Sequence, residues 1–310
     1  AEGGLSPFLA LFLILVAVEF FLPLRAFGAA FHVAMNGVSA GNKILSFLAV
    51  EEPIWGEEQV SHMEWKLEGV NSYDDRRNVL KDVNMTFPEM GMTSIVGESG
   101  CGKSTVVQIL LGGIRPKSGN VTVGGKKLED LSRESYYEHL AAVSYNTYIF
   151  HETVRQNFKL ADKKVSDEEI YVALEKVNLA RFIRENGGLD KKIMEDGANL
   201  SGGQKQRLAL AVNLVADKAM YVFDEATSNI DMESETIIME NIRELSRSKA
   251  VILISHRLAN VVPSEKIYYM EAGEVKEQGT HKELMEKHGG YARLFTAQKE
   301  LEEGYKEVSL

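Results

Sequence analysis

Hydrophobic and polar positions are distributed unevenly from the start of the chain. Leu5–Leu24 reads LSPFLALFLILVAVEFFLPL, 20 positions interrupted only by Ser6, Pro7, Glu19 and Pro23. As an α-helix such a run measures about 30 Å, the thickness of a bilayer core. A signal peptide shares this length but needs a basic leader, and AEGG supplies none. A buried helix of a soluble domain usually shows a polar stripe, which is missing here. The pattern therefore predicts a membrane helix. Glu19, near one end, is expected to face headgroups or a helix-bundle interior as a structural carboxylate, with substrate contact as the lesser reading. From Arg25 to Val50, Phe27, Phe31, Val38, Ile44, Leu45 and Leu48 recur at helical spacing among small residues, which permit close packing. The helix is thus expected to continue toward the cytoplasm, and Arg25 and Lys43 agree with that orientation.

The pattern then breaks at Glu51–Gln59 (EEPIWGEEQ), an acidic stretch with Pro and Gly that reads as a linker. Beyond it, strands alternate with helices. Trp65–Val70 and Val83–Phe87 predict strands, and Met92–Val96, Tyr221–Phe223 and Ala250–Ser255 are apolar runs suited to buried parallel strands. The expected fold class is α/β, a parallel central sheet with a small antiparallel region at its start. The expected domains are 1–50 (end of a membrane domain), 51–62 (linker), 63–300 (α/β domain) and 301–310 (tail).

Composition adds limits. The chain has 310 residues, 45% hydrophobic and 26% charged, enough for one large domain or two smaller ones. A net charge of −10 argues against general nucleic-acid binding. Cys101 is the sole cysteine, so neither an internal disulfide nor a thiolate zinc site can form. The first residue is Ala rather than Met, from which truncation is the favoured reading.

The sharpest local signal is Gly97-Glu98-Ser99-Gly100-Cys101-Gly102-Lys103-Ser104-Thr105, which fits G-x-x-x-x-G-K-[ST] between a predicted strand and a predicted helix. Glycines let backbone N–H groups turn toward phosphates, and the helix N-terminus adds partial positive charge. Lys103 would neutralise β- and γ-phosphate oxygens, and the Ser104 hydroxyl would ligate Mg²⁺. These residues predict ATP and Mg²⁺ as ligands. Asp224 ends an apolar strand, where a carboxylate can reach Mg²⁺ through water, and Glu225 beside it is placed to polarise an attacking water. Ser201 and Gly203 precede a helix expected at Lys205–Val215, which makes a further anion site.

The order of Leu200-Ser201-Gly202-Gly203-Gln204, Tyr221–Glu225, Ser228-Asn229-Ile230-Asp231 and His256 resembles the ABC ATPase family over roughly residues 63–300. The resemblance implies a P-loop cassette with an antiparallel β subdomain and an α-helical signature subdomain. It implies that Glu225, His256 and Lys103 serve hydrolysis, His256 by hydrogen-bonding the γ-phosphate. It implies that Tyr73 stacks on adenine, and that Ser201, Gly203 and Gln204 serve the ATP of an opposite subunit, so that two cassettes sandwich two ATPs. One position departs from the family. Where its Q-loop carries Gln, five residues before Phe150, this chain has Tyr145. Either a Mg²⁺ and water contact is altered or Asn146 substitutes, and a non-identical partner becomes the favoured one.

A membrane helix fused to the cassette resembles exporter half-transporters, in which it would be the last of six. Glu19–Arg25 and Phe31–Gly37 further resemble the bacterial thiol-reductant exporters, which implies cysteine or glutathione as cargo. Relatives moving lipid, peptide or drug-like cargo could share that helix, and His32 reads more simply as a packing residue. An importer's ATP subunit or a soluble ABC ATPase acting on DNA or ribosomes is disfavoured by the fused helix. The expectation is a cell-membrane protein with its cassette in the cytoplasm, whose partners are a second half-transporter, a small-molecule cargo and lipid.

Overall fold

The first of the chain's two units, Ala1–Glu52, is built around one helix, α1 (Pro7–Leu48). The computed structural model describes residues 6–49, 55–74, 77–144, 148–228 and 230–308, with side chains at all of these except 73, 74, 77, 78 and 302–308. Ser6 caps α1 by accepting the Leu9 N–H at 3.3 Å, and Pro7 occupies the first turn, where its missing N–H costs nothing. Pro23 stands within the helix, where it cannot donate to the Glu19 carbonyl. The 42 residues run about 63 Å. None of them is buried, and a helix stretch apolar on all sides calls for an apolar surrounding such as a membrane core. By length and composition α1 can cross a membrane.

The second unit, Pro53–Leu310, holds every strand among the described residues. In order it contains β1 (Trp65–Asp74), β2 (Arg77–Phe87), β3 (Gly91–Gly97), α2 (Lys103–Leu110), β4 (Ser118–Val123), β5 (Lys126–Lys127), α3 (Arg133–His139) and β6 (Leu140–Ser144). There follow α4 (Val154–Ala161), α5 (Asp167–Lys176), α6 (Ala180–Glu185), α7 (Gly202–Leu214), β7 (Met220–Asp224), α8 (Met232–Ser246) and β8 (Ala250–Ile254). The last elements are β9 (Lys266–Glu271), β10 (Glu274–Gly279), α9 (His281–Glu286) and α10 (Gly290–Val308). One sheet is antiparallel, in the order β2-β1-β4-β5. The other runs β10-β9-β3-β8-β7-β6 and is parallel except for β10.

Alternation along the parallel strands makes two cores. Met92 and Val96 of β3, Tyr221 and Phe223 of β7, and Val251 and Leu253 of β8 join the side chains of α4, α5, α6 and α7. Their neighbours Ile95, Met220, Val222, Ile252 and Ile254 point the other way, into the space shared with β1, β2, β4 and α2. A strand buried on both faces reads in sequence as an apolar run, unbroken in β7 from Met220 to Phe223 and in β8, and interrupted in β3 by the buried Thr93 and Ser94.

Part of the expected linker is not loose. Gly56 N–H donates to Leu131 O at 3.0 Å, Glu58 N–H to Asp130 O at 2.9 Å, and Ser132 N–H returns a bond to Glu58 O at 2.7 Å. Trp55 packs against Tyr136 and Tyr137, with the Arg115 guanidinium over its indole. Backbone pairing and an aromatic cluster thus tie Trp55–Glu58 to the cassette.

Candidate functional site: a phosphate loop beside a carboxylate and imidazole pair

The sheet register sets the site. Ile95 of β3, Ile254 of β8 and Asp224 of β7 lie in one row across three parallel strands. The phosphate loop begins two residues beyond Ile95, His256 lies two beyond Ile254, and Glu225 follows Asp224 directly. All three segments therefore emerge at the carboxyl edge of the sheet, where α/β folds place their ligands.

The loop is shaped by backbone. Gly97 closes β3 opposite Met270, with φ at +151°, and a Cβ there would fall 2.2 Å from Met270 O and 2.8 Å from Cys101 Sγ. Gly102 takes φ +107° as the residue before α2, where a Cβ would lie 2.7 Å from Leu80 Cδ2. The first intrahelical bond runs from Val106 N–H to Gly102 O at 3.1 Å. The preceding amides of the turn are free of intrahelical acceptors, as at every helix start. Lys103 is buried and curls back, its Nζ donating to Gly97 O at 2.8 Å and Glu98 O at 2.9 Å. Glu98, Ser99, Gly100 and Ser104 are exposed and Thr105 half-buried. The Cys101 thiol packs into the core beneath the loop, so at Cys101 the backbone rather than the thiol is available to a ligand.

The opposite side is made of side chains. Asp224 is half-buried; burial foremost, and then the adjacent Glu225, raise its pKa, while Lys103 and His256 pull it down. Glu225 has φ +54°, a left-handed conformation unusual for a residue with a side chain. Its N–H donates to Ile254 O at 2.9 Å and its carbonyl accepts from Gln206 Nε2 at 3.1 Å. This turn carries the carboxylate to His256, whose Nε2 lies 2.5 Å from Glu225 Oε1.

A supporting layer lies behind the pair. Glu235 of α8 is 4% exposed and accepts from Thr227 Oγ1 at 3.0 Å and Asn260 Nδ2 at 2.9 Å, and it pairs with the Arg257 guanidinium. One buried carboxylate thereby joins the segment after Glu225 to the segment after His256. Sequence reading missed Glu235, Thr227, Asn260 and Gln206. It also missed Arg257, although that residue stands directly beside His256.

The signature residues are occupied with a helix cap. Ser201 Oγ accepts the Gln204 N–H at 3.2 Å, and Gln204 Oε1 accepts the Ser201 N–H at 3.0 Å. This reciprocal box starts α7 at Gly202, three residues before the expected Lys205. Gly203 sits in that first turn, and Gln206, two residues beyond Gln204, connects α7 to Glu225. Asp231 caps α8 through the Ser234 N–H at 2.9 Å, and that bond lowers its pKa. Tyr73 pairs by backbone with Asn78 at the β1–β2 end, its side chain being outside the described residues. Tyr145, Asn146 and Asn229 also lie outside them.

Comparison with known proteins agrees with this geometry. Residues 80–228 match the family model described as ABC transporter. An uncharacterised ABC transporter ATP-binding protein of Haemophilus influenzae is 43% identical over 297 residues, which is 94% of this chain and 53% of that protein. The glutathione/L-cysteine transport system ATP-binding/permease protein CydC of Bacillus subtilis is 34% identical over 295 residues, 93% of this chain and 51% of that protein. The structure of a bacterial Atm1-family ABC exporter with ATP bound superposes with a TM-score of 0.76 at 26% identity, over 91% of this chain and 50% of that one. The chain thus spans about half the length of the relatives it matches. The mixed α/β fold, the ordered motifs at the sheet edge and these similarities together show that the chain carries an ATP-binding cassette of the ABC transporter type.

Proposed function

We propose that the cassette binds and hydrolyses ATP and thereby powers export through a membrane half-transporter. The observation that carries this is the 2.5 Å contact between His256 Nε2 and Glu225 Oε1 at the same sheet edge as the phosphate loop. The glycine cradle suits phosphate, since an added Cβ at Gly97 or Gly102 would strike the surrounding chain. The oxygen donors suit Mg²⁺, which typically takes one or two protein ligands and completes its shell with phosphate and water. Ser104 and Asp224 would hold it, and when bound it screens the phosphate charge. Lys103 neutralises the β- and γ-phosphates, exchanging its carbonyl partners for phosphate oxygens. Glu225 accepts the proton of the attacking water. His256 holds that carboxylate, and a turn of the imidazole toward the γ-phosphate would release Glu225 to the water. Tyr73 stacks on adenine, and Ser201, Gly203 and Gln204 present the start of α7 to the ATP of a second cassette.

The same reading makes the first unit the end of a membrane domain in the cell membrane, in contact with lipid, with the cassette in the cytoplasm. A second half-transporter completes the assembly, and Tyr145 favours a non-identical one. The CydC similarity and the Glu19–Arg25 and Phe31–Gly37 segments favour a thiol such as cysteine or glutathione as cargo. The test is Glu225→Gln in the full-length transporter. ATP affinity is expected to stay within about twofold while turnover falls by about 10²–10⁴. Unchanged steady-state turnover would overturn the assignment. Stimulation of ATPase by glutathione or cysteine, but not by lipid or peptide, checks the cargo.

A further inference from the structure

We propose that Gln298 of α10 is a positioning residue for His256, gripping the backbone of its loop from both sides. The inference rests on the hydrolytic role given to His256 above. Gln298 Nε2 donates to His256 O at 2.7 Å, and the Leu258 N–H donates to Gln298 Oε1 at 2.8 Å. One planar amide thus supplies a donor and an acceptor to residues two apart, as a neighbouring β-strand would. Between these points, Ser255 Oγ accepts the Arg257 N–H at 3.1 Å and donates to Arg257 O at 3.2 Å. Side chains thus bond to the backbone at residues 256, 257 and 258, and the Asn260 N–H adds a bond to Arg257 O at 3.0 Å.

The imidazole itself is 55% exposed, so packing does little to hold it. Its reach to Glu225 depends on where the backbone sits. Gln298 has a firm base: Tyr291 and Ala292 of α10 are buried, and Leu294 and Phe295 pack against the same core. Residues 291, 294, 295 and 298 follow the i, i+3, i+4, i+7 spacing of one helix face. Gln298 is thus a polar residue on a core-facing stripe, and its amide is spent on the loop that carries His256. Through it, the C-terminal helix fixes a group that acts on the reacting phosphate.

The experiment uses Gln298→Ala and Gln298→Met in the full-length transporter reconstituted in lipid nanodiscs, with His256→Ala and the double variant Gln298→Ala/His256→Ala alongside. The Met variant keeps side-chain length and helix packing without amide hydrogen bonds, so it stands in should the Ala variant fail to fold. The expected result is a fall in kcat of about fivefold to tenfold, with KM and equilibrium affinity for ATP within about twofold. In the His256→Ala background, Gln298→Ala should cost less than about twofold more, because a residue acting through His256 loses its effect when His256 is absent. A kcat within twofold of the parent, a loss confined to KM, or fully additive losses in the double variant would each overturn the proposal while leaving the role of His256 intact. Normal turnover in His256→Ala would instead remove that role, and this proposal with it.

Discussion

The two sides of the nucleotide site are built by different means. On the β3–α2 side the backbone forms the surface, and glycine is used because the chain itself comes too close for a side chain. On the β7 and β8 side the surface is made by side chains, a carboxylate and an imidazole 2.5 Å apart, backed by a layer drawn in part from α7 and α8. A backbone-built surface should tolerate loss of an exposed side chain given no ligand role, such as Ser99, and fail when a Cβ is added. A side-chain-built surface should fail when a residue that never touches ligand is removed. This contrast can be tested directly.

The largest effect is expected at Glu235. Glu235→Ala removes a buried carboxylate that holds Thr227, Asn260 and Arg257, and should lower stability by about 2–3 kcal/mol, less than for a fully buried pair because Arg257 is half-exposed. Turnover should fall as well. Thermal unfolding together with ATPase measures both, and a variant as stable and active as the parent would mean that the second layer is passive. Next comes Gly97→Ala, expected to cost about 1–3 kcal/mol through the contact with Met270 O and to abolish nucleotide binding. Ser99→Ala, on the same loop but exposed, should stay within about 0.5 kcal/mol. Equal losses from the two would erase the distinction.

The smallest effect concerns Asp224. Its carboxyl has a raised pKa in the folded protein, chiefly from burial, so the folded state holds the proton more tightly than the unfolded chain. The carboxylate therefore costs stability above the raised pKa, and the cost fades as pH falls through the unfolded value of about 3.9. Asp224→Asn should accordingly raise Tm at neutral pH, with the gain shrinking toward pH 4, while ATPase is lost. A Tm difference that does not change with pH would contradict the burial argument.

How much of this was legible in the sequence follows the same division. The glycine loop, the apolar runs of β3, β7 and β8, and the residues at their ends are local patterns, so Gly97, Lys103, Asp224, Glu225 and His256 could be read directly. The start of α7 was also written out, since Ser201 and Gln204 stand at capping-box spacing, yet the helix was expected three residues late. Glu235 could not be found this way. α8 reads MESETIIMENIRELS, with glutamates at 233, 235, 240 and 244, and only tertiary contact shows which is buried. Gln298 lies 42 residues beyond His256, and no short-range pattern links them. The parts proposed to carry chemistry are local in sequence, whereas the parts that hold them are local only in space.

The cap at Ser201 bears on how mutagenesis of such sites is interpreted. Ser201→Ala is the natural probe of a ligand contact at this position, but the hydroxyl it deletes also terminates α7, the helix whose Gln206 holds the Glu225 carbonyl. A drop in activity would therefore confound recognition with scaffolding. Ser201→Asp and Ser201→Asn separate them, because both can cap a helix while their charge and shape at a bound anion differ. An assay that includes all three substitutions distinguishes a residue that reads its partner from one that only starts a helix.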